Sequence, residues 1–256
     1  MAITDYKRIE YIEGASGAYI DLGVTGNRAY SYYAECTIPT DIGARATIWG
    51  AEGSANKYNF GILADGTAYR IRYAASSPTL SPVASSAIAN PRRVNITMET
   101  ATSGGNIYMY DYNTEELLAN TSYSYGGSNT NLNRNLYLLA LNASSSGTPS
   151  YPGINCRIYW FEVYNATTSP TTVLRQMAPI RDPATGNVGM YDLKNDVAYW
   201  SGGTNFIAGP DIGSASKLWI RQSGSWTSGT PYIKQSGSWN AGKPYIKQSG
   251  SWNQGS

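Results

Sequence analysis

The chain has 256 residues, of which 41% are apolar and only 14% charged, with a formal net charge of +2. That near-neutral balance argues against a dedicated nucleic-acid binder, and no run approaches the roughly 18 apolar residues a membrane span needs. Histidine is absent, which removes Ser-His-Asp and Cys-His catalysis and the usual zinc site.

Gly (27) and Tyr (22) are abundant, and Ser, Thr and Asn recur throughout, so strand and turn formers dominate and the chain is expected to be all-β. Met1 to Arg8 lacks an apolar signal segment, so synthesis and first folding are expected in a cytoplasm. Two cysteines, Cys36 and Cys156, are too few for a disulfide framework and are expected as buried free thiols.

In chain order, alternation around Gly14 to Gly17 predicts two strands, near Tyr11-Ile12 and Tyr19 to Leu22. Tyr30 to Ile38 and Ala46 to Gly50 follow. Tyr58 to Leu63 and Tyr69 to Tyr73 flank Asp65-Gly66, a strong hairpin signal. Residues 74–91 read as a loop, Arg93 to Met98 and Asn106 to Tyr112 as consecutive strands, and Asn113 to Glu116 as a turn. Residues 119–134 read as a second polar loop. Leu136 to Leu141, Asn155 to Tyr164, Val173 to Met177, Gly189 to Leu193 and Tyr199-Trp200 complete the strands. A dozen short strands with turn residues between them predict a two-sheet sandwich.

A near-exact 13-residue repeat closes the chain. Ser223-Gly-Ser-Trp226, Ser236-Gly-Ser-Trp239 and Ser249-Gly-Ser-Trp252 recur with Trp219, Tyr232 and Tyr245 on the same period. Each unit is written as a tight hairpin, with Ser-Gly serving a type I′ turn or Gly-Ser a type II′ turn. Pro231 and Pro244 suit the opening of a strand or an edge. From residue 217 onward there are five Lys and Arg and no acid, so the tail is +5 and the preceding 216 residues are −3. Isolated hairpins are marginal in water and need neighbours. Three readings of the rings stay open: the mini-cores of the hairpins, sugar stacking, or packing between subunits.

Tyr11-Ile-Glu13, Tyr19-Ile-Asp21-Leu-Gly23, Ile48-Trp-Gly50, Phe60-Gly61, Arg157-Ile-Tyr-Trp-Phe161 and Met177-Ala-Pro-Ile-Arg181 resemble a concanavalin A-like, laminin-G-like jelly-roll domain of bacteriophage virion proteins. The closing stretch from Gly189-Met-Tyr-Asp-Leu193 through Tyr199-Trp200 and Gly203-Thr-Asn-Phe206 to Gly209-Pro-Asp211 carries most of the likeness. The tail resembles the short Tyr-Ile-Lys/Gly-Ser-Trp repeats that end phage structural proteins. The resemblance implies a sandwich over residues 1–212 and a tail of β-hairpin repeats over 213–256. It further implies a virion protein made in the host cytoplasm and exposed on the particle, as capsid decoration, head fibre or tail fibre.

The resemblance implies a non-enzymatic adhesion protein, with a glycan-cleaving enzyme of the same fold and a pure assembly protein as alternatives. No Glu-x-Asp-x-x-Glu run of the jelly-roll glucanases occurs, and Glu10-Glu13 and Glu115-Glu116 read as solvated charges. Asp41, Asp65 and Asp111 are loop-edge oxygen donors without the dense spacing of a calcium cage, so neither metal nor cofactor is expected. Sugar recognition needs only stacking rings and planar polar groups. Trp49, Tyr58, Tyr69, Arg70 and Arg72 are the expected ligand-binding residues. Trp219, Trp226, Tyr232, Trp239, Tyr245 and Trp252 are the expected subunit or virion attachment residues. The expected partners are other virion proteins, sister subunits in an oligomer (a trimer among the options) and cell-surface carbohydrate, with no nucleic acid and no membrane.

Overall fold

A computed structural model describes residues 2–27, 29–38, 46–52, 57–62, 69–74, 79–80, 92–101, 104–124, 132–143, 149–166 and 171–212. In the repeats it describes 218–222, 225–229, 232–235, 238–241, 245–248 and 251–254. Residues 38, 57–62, 69–74, 79–80, 100–101, 123–124 and the repeats are described by backbone pairing alone. The chain divides into two compact units, Met1–Asp211 and Ile212–Ser256.

After a 3-10 turn at Ile3–Asp5, the first unit begins with β1 (Lys7–Arg8), β2 (Ile12–Glu13), β3 (Ile20–Thr25), β4 (Tyr30–Ile38) and β5 (Ala46–Glu52). Then come β6 (Lys57–Ile62), β7 (Tyr69–Ala74), β8 (Thr79–Leu80), β9 (Arg92–Ala101), β10 (Gly104–Asp111) and β11 (Leu117–Ser124). It closes with β12 (Asn135–Leu138), β13 (Leu141–Asn142), β14 (Pro149–Ser150), β15 (Arg157–Asn165), β16 (Thr172–Arg181), β17 (Val188–Asp192), β18 (Val197–Trp200) and β19 (Ile207–Ala208).

These strands form the expected all-β jelly-roll sandwich. The larger sheet has the order β11-β10-β9-β4-β15-β16-β17-β18, with β1, β2 and β19 attached. The smaller has the order β14-β13-β5-β6-β7-β8, with β12 and β3 attached. The chain alternates between them, so β4 lies between β9 and β15, strands far from it in sequence. Period-two alternation explains the core, because one side of each half-buried strand faces it. Tyr32, Ala34, Cys36, Ile96, Ile107, Met109, Phe161 and Val163 enter from the larger sheet, and Ile20, Leu22, Ile48, Trp49, Leu136 and Leu138 from the smaller.

Several expectations change. Residues 119–124 of the expected loop belong to a strand: β11 pairs with β10 from Gly104↔Ser124 to Tyr110↔Leu117. Its Ser, Thr and Asn residues mark an edge strand facing water, and composition alone cannot tell that from a loop. Leu136 to Leu141 is not one strand, because Leu139 adopts φ 59° and splits it into β12 and β13. The two N-terminal strands join different sheets, β2 through β15 and β3 through β12. Glu10 and Glu13 are both ion-paired, to Arg93 (3.3 Å) and Arg157 (2.6 Å); Glu10 stays solvent-exposed as expected, whereas Glu13 is largely enclosed.

The second unit holds three separate two-stranded sheets: β20 (Leu218–Gln222) with β21 (Ser225–Gly229), β22 (Tyr232–Gln235) with β23 (Ser238–Ala241), and β24 (Tyr245–Gln248) with β25 (Ser251–Gln254). Gln222↔Ser225, Gln235↔Ser238 and Gln248↔Ser251 are the last pairs, so each connection is a Ser-Gly dipeptide.

Candidate functional site: the outer face of the larger sheet

The residues of β4, β9, β10 and β15 that do not face the core are mainly tyrosines, amides, hydroxyls and carboxylates, with Arg93, Arg157 and Trp160 among them. Register lines them up directly across six strands as Asn120, Tyr108, Thr97, Tyr33, Glu162 and Gln176. Five inter-strand spacings make that row about 24 Å long. A second row beside it contains Tyr110, Asn95, Glu35 and Trp160. The Tyr108 and Tyr110 rings lie nearly parallel, 25° apart, with centroids separated by 6.3 Å. At the β10–β11 end a recess of about 400 Å³ is lined by Asn106, Tyr108, Asn120, Thr121 and Ser122.

The charges of this face are mostly spoken for. Arg93 is clamped between the rings of Tyr159 (3.6 Å to the centroid) and Tyr112 (4.0 Å), and its Nε donates to Glu35 Oε1 at 2.6 Å. Arg157 lies over the Tyr11 ring while bonded to Glu13. Glu162 is nearly buried and is held by neutral donors, Gln176 Nε2 at 3.0 Å and Tyr164 Oη. Among the described residues no cation pairs with it. Burial and the bond to Glu162 push the Tyr164 phenol up, and burial with the nearby Glu35 and Glu162 does the same to Tyr33. Both phenols therefore stay protonated donors, and Tyr33 Oη donates to Asn95 Oδ1 at 3.1 Å.

Of the residues expected to bind ligand, only Trp49 has a described side chain. Trp49 is 1% exposed, with its ring 5.7 Å from Tyr32 and 5.5 Å from Phe161, so it is a core ring and unavailable for stacking. Tyr58 and Tyr69 share a face with Phe60 and Ile71, while Arg70 and Arg72 fall on the opposite one. Their side chains lie outside the described residues, as do Asp41 and Asp65. Asp111 is occupied, accepting from the Asn113 and Thr114 amides and pairing with Arg92 at 3.1 Å. The Thr114 amide bond, first among several donors, holds its carboxyl below the usual range. Among the described residues no group of three or more acidic or cysteine side chains is placed to hold a metal, and no helix is long and apolar enough to cross a membrane. The six tail residues lie on paired strands, with Arg221↔Trp226, Lys234↔Trp239 and Lys247↔Trp252 directly opposite. A signal for the outer face was present in the alternation of Ser31, Tyr33 and Glu35 with Tyr32 and Ala34, and of Asn106, Tyr108 and Tyr110 with Ile107 and Met109.

No protein-family model and no curated protein matches the chain. Similar solved structures include the enzymatically active domain of tailspike protein 2 of a bacteriophage, at 12% identity and TM-score 0.42, covering 61% of this chain and 25% of that one. Domains LG4-5 of the mouse laminin alpha1 chain follow at 15% and 0.40, covering 64% and 41%. Scytalido-glutamic peptidase is similar at 14% and 0.29, covering 86% and 97%. These likenesses are too distant to carry residues or activities across.

Proposed function

We infer that the protein is a non-enzymatic bacteriophage structural protein whose sandwich binds glycans at the outer face of the larger sheet. The row from Asn120 to Gln176 carries this reading. Tyrosine rings offer flat apolar surfaces to the C–H faces of sugars, and amide, hydroxyl and carboxylate groups between them meet sugar hydroxyls. The virion setting rests on the sequence resemblance and the terminal repeats, which supply contacts to other virion proteins or sister subunits.

Glycan-array and whole-cell binding by the full chain test it. Tyr108→Ala or Tyr33→Ala should weaken binding about tenfold, the loss of roughly 1.4 kcal/mol of ring contact. Silence on arrays and cells alike would favour a pure assembly protein. Glu35 and Glu162 lie diagonally across neighbouring strands on this face, so a cleaving enzyme that uses two carboxylates is the competing reading. Release of reducing ends from a bound polysaccharide, abolished by Glu162→Gln, would replace the non-enzymatic reading.

A further inference from the structure

Register divides each hairpin of the second unit into two unlike faces. One carries Trp219, Arg221 and Trp226 in the first hairpin, Tyr232, Lys234 and Trp239 in the second, and Tyr245, Lys247 and Trp252 in the third. The other carries Ile220 with Thr227, Ile233 with Asn240, and Ile246 with Asn253, and no charge. The same ring, cation and ring therefore recur on one face of three tandem hairpins.

We propose that these charged aromatic faces form a trivalent site for an acidic polysaccharide bearing one anionic group per repeat unit. This goes beyond attachment to the particle, for which the uncharged isoleucine faces remain.

Three observations select that occupant. The unit has five cations and no carboxylate, so stacking the charged faces of sister copies would bring like charges together without compensation. An anionic partner supplies what the unit lacks. Each face carries a single cationic residue and two aromatic ones, which suits a chain of sugar rings with sparse charge. Duplex DNA, with a charge every ~1.7 Å of axis, calls for dense Lys and Arg, which three cations spread over three faces do not supply. Finally, only residues 230–231 and 242–244 separate consecutive hairpins. Once one face is engaged, the next therefore meets the same polymer at high effective concentration, and three weak contacts sum to a usable affinity.

The test measures binding of the full chain to polygalacturonate, polyglycerol phosphate, neutral dextran and single-stranded oligothymidylate at low and physiological salt. Binding to polygalacturonate, about tenfold weaker at physiological salt, supports the proposal, and polyglycerol phosphate, a polyanion without sugar rings, should bind more weakly. The combined Arg221→Gln, Lys234→Gln and Lys247→Gln variant should lose at least about tenfold while keeping its circular dichroism, and Trp239→Ala alone should lose several-fold. Three results would overturn it: dextran bound as well as the acidic polymers, the triple variant binding normally, or oligothymidylate bound more tightly than either. Self-association through the tail with no polymer binding would instead assign the faces to a second copy.

Discussion

Cys36 on β4 and Cys156 just before β15 are both fully buried free thiols. Burial dominates both, pushing Cys156 up to about 12 and Cys36 well above its ordinary value of 9.0. The folded state therefore holds its thiol protons more tightly than the unfolded chain. That contribution is complete below pH 9, where both states are protonated. It falls as pH rises from 9 toward 12, because the unfolded thiols ionise first. Each thiol should cost about 1.4 kcal/mol per pH unit in that window, as urea denaturation at pH 8 and 10.5 would measure. At neutral pH, thiol labelling should be slow in the native protein and complete after denaturation. A bond between the two cysteines found by mass spectrometry without reductant would contradict this. Asp192 shows another cost of burial that is met by design. It is fully enclosed, yet it accepts from the Gln176 and Lys194 amides and Asn195 Nδ2, and faces Arg175 at 3.6 Å. Arg175 in turn donates to Leu22 O at 2.9 Å, tying β16 of the larger sheet to β3 of the smaller.

The stretch from Gly189 to Leu193 is specific as an element because nearly every residue has a separate job. Met190 enters the core, Tyr191 Oη donates to Asp196 at 2.8 Å, and Asp192 anchors the turn. Gly189 pairs with Trp200 where a Cβ would meet Tyr199 O at 2.2 Å and the Trp200 ring at 2.8 Å. The Tyr199 carbonyl is fixed by the β17–β18 ladder and cannot swing away. Gly189→Ala should therefore destabilise the first unit by about 1–3 kcal/mol, read as a lower urea midpoint, whereas Gly186→Ser, with nothing within 4 Å, meets no clash and only the strain of φ 74°. Elements were legible wherever alternation or a turn dipeptide was local, as in the β6–β7 pair and the tail hairpins. They were misread where tertiary pairing decides. Polar β11 is a strand because β10 is beside it, and Leu139 breaks a run that is apolar throughout.

At the scale of the whole molecule, the two units make separable predictions. A chain ending at Asp211 should keep the unfolding midpoint of the first unit and the glycan binding proposed for it, because every core residue among those described belongs to that unit. Calorimetry of the full and shortened chains checks this, and a large fall in the midpoint would mean that the tail props up the sandwich. By itself the sequence determined the all-β class, most strands and the repeated hairpins, because side-chain alternation and turn chemistry act between near neighbours. Only the tertiary structure decided which sheet each strand joins, and with it which aromatic residues face water. The sequence singles out Trp49 for a sugar and passes over Tyr33. Packing against Tyr32 and Phe161 encloses the first, while pairing of β4 with β9 and β15 sets the second in a row with residues up to 143 positions away. That row exists only after strands distant in the chain are brought to one spacing, which no local pattern encodes.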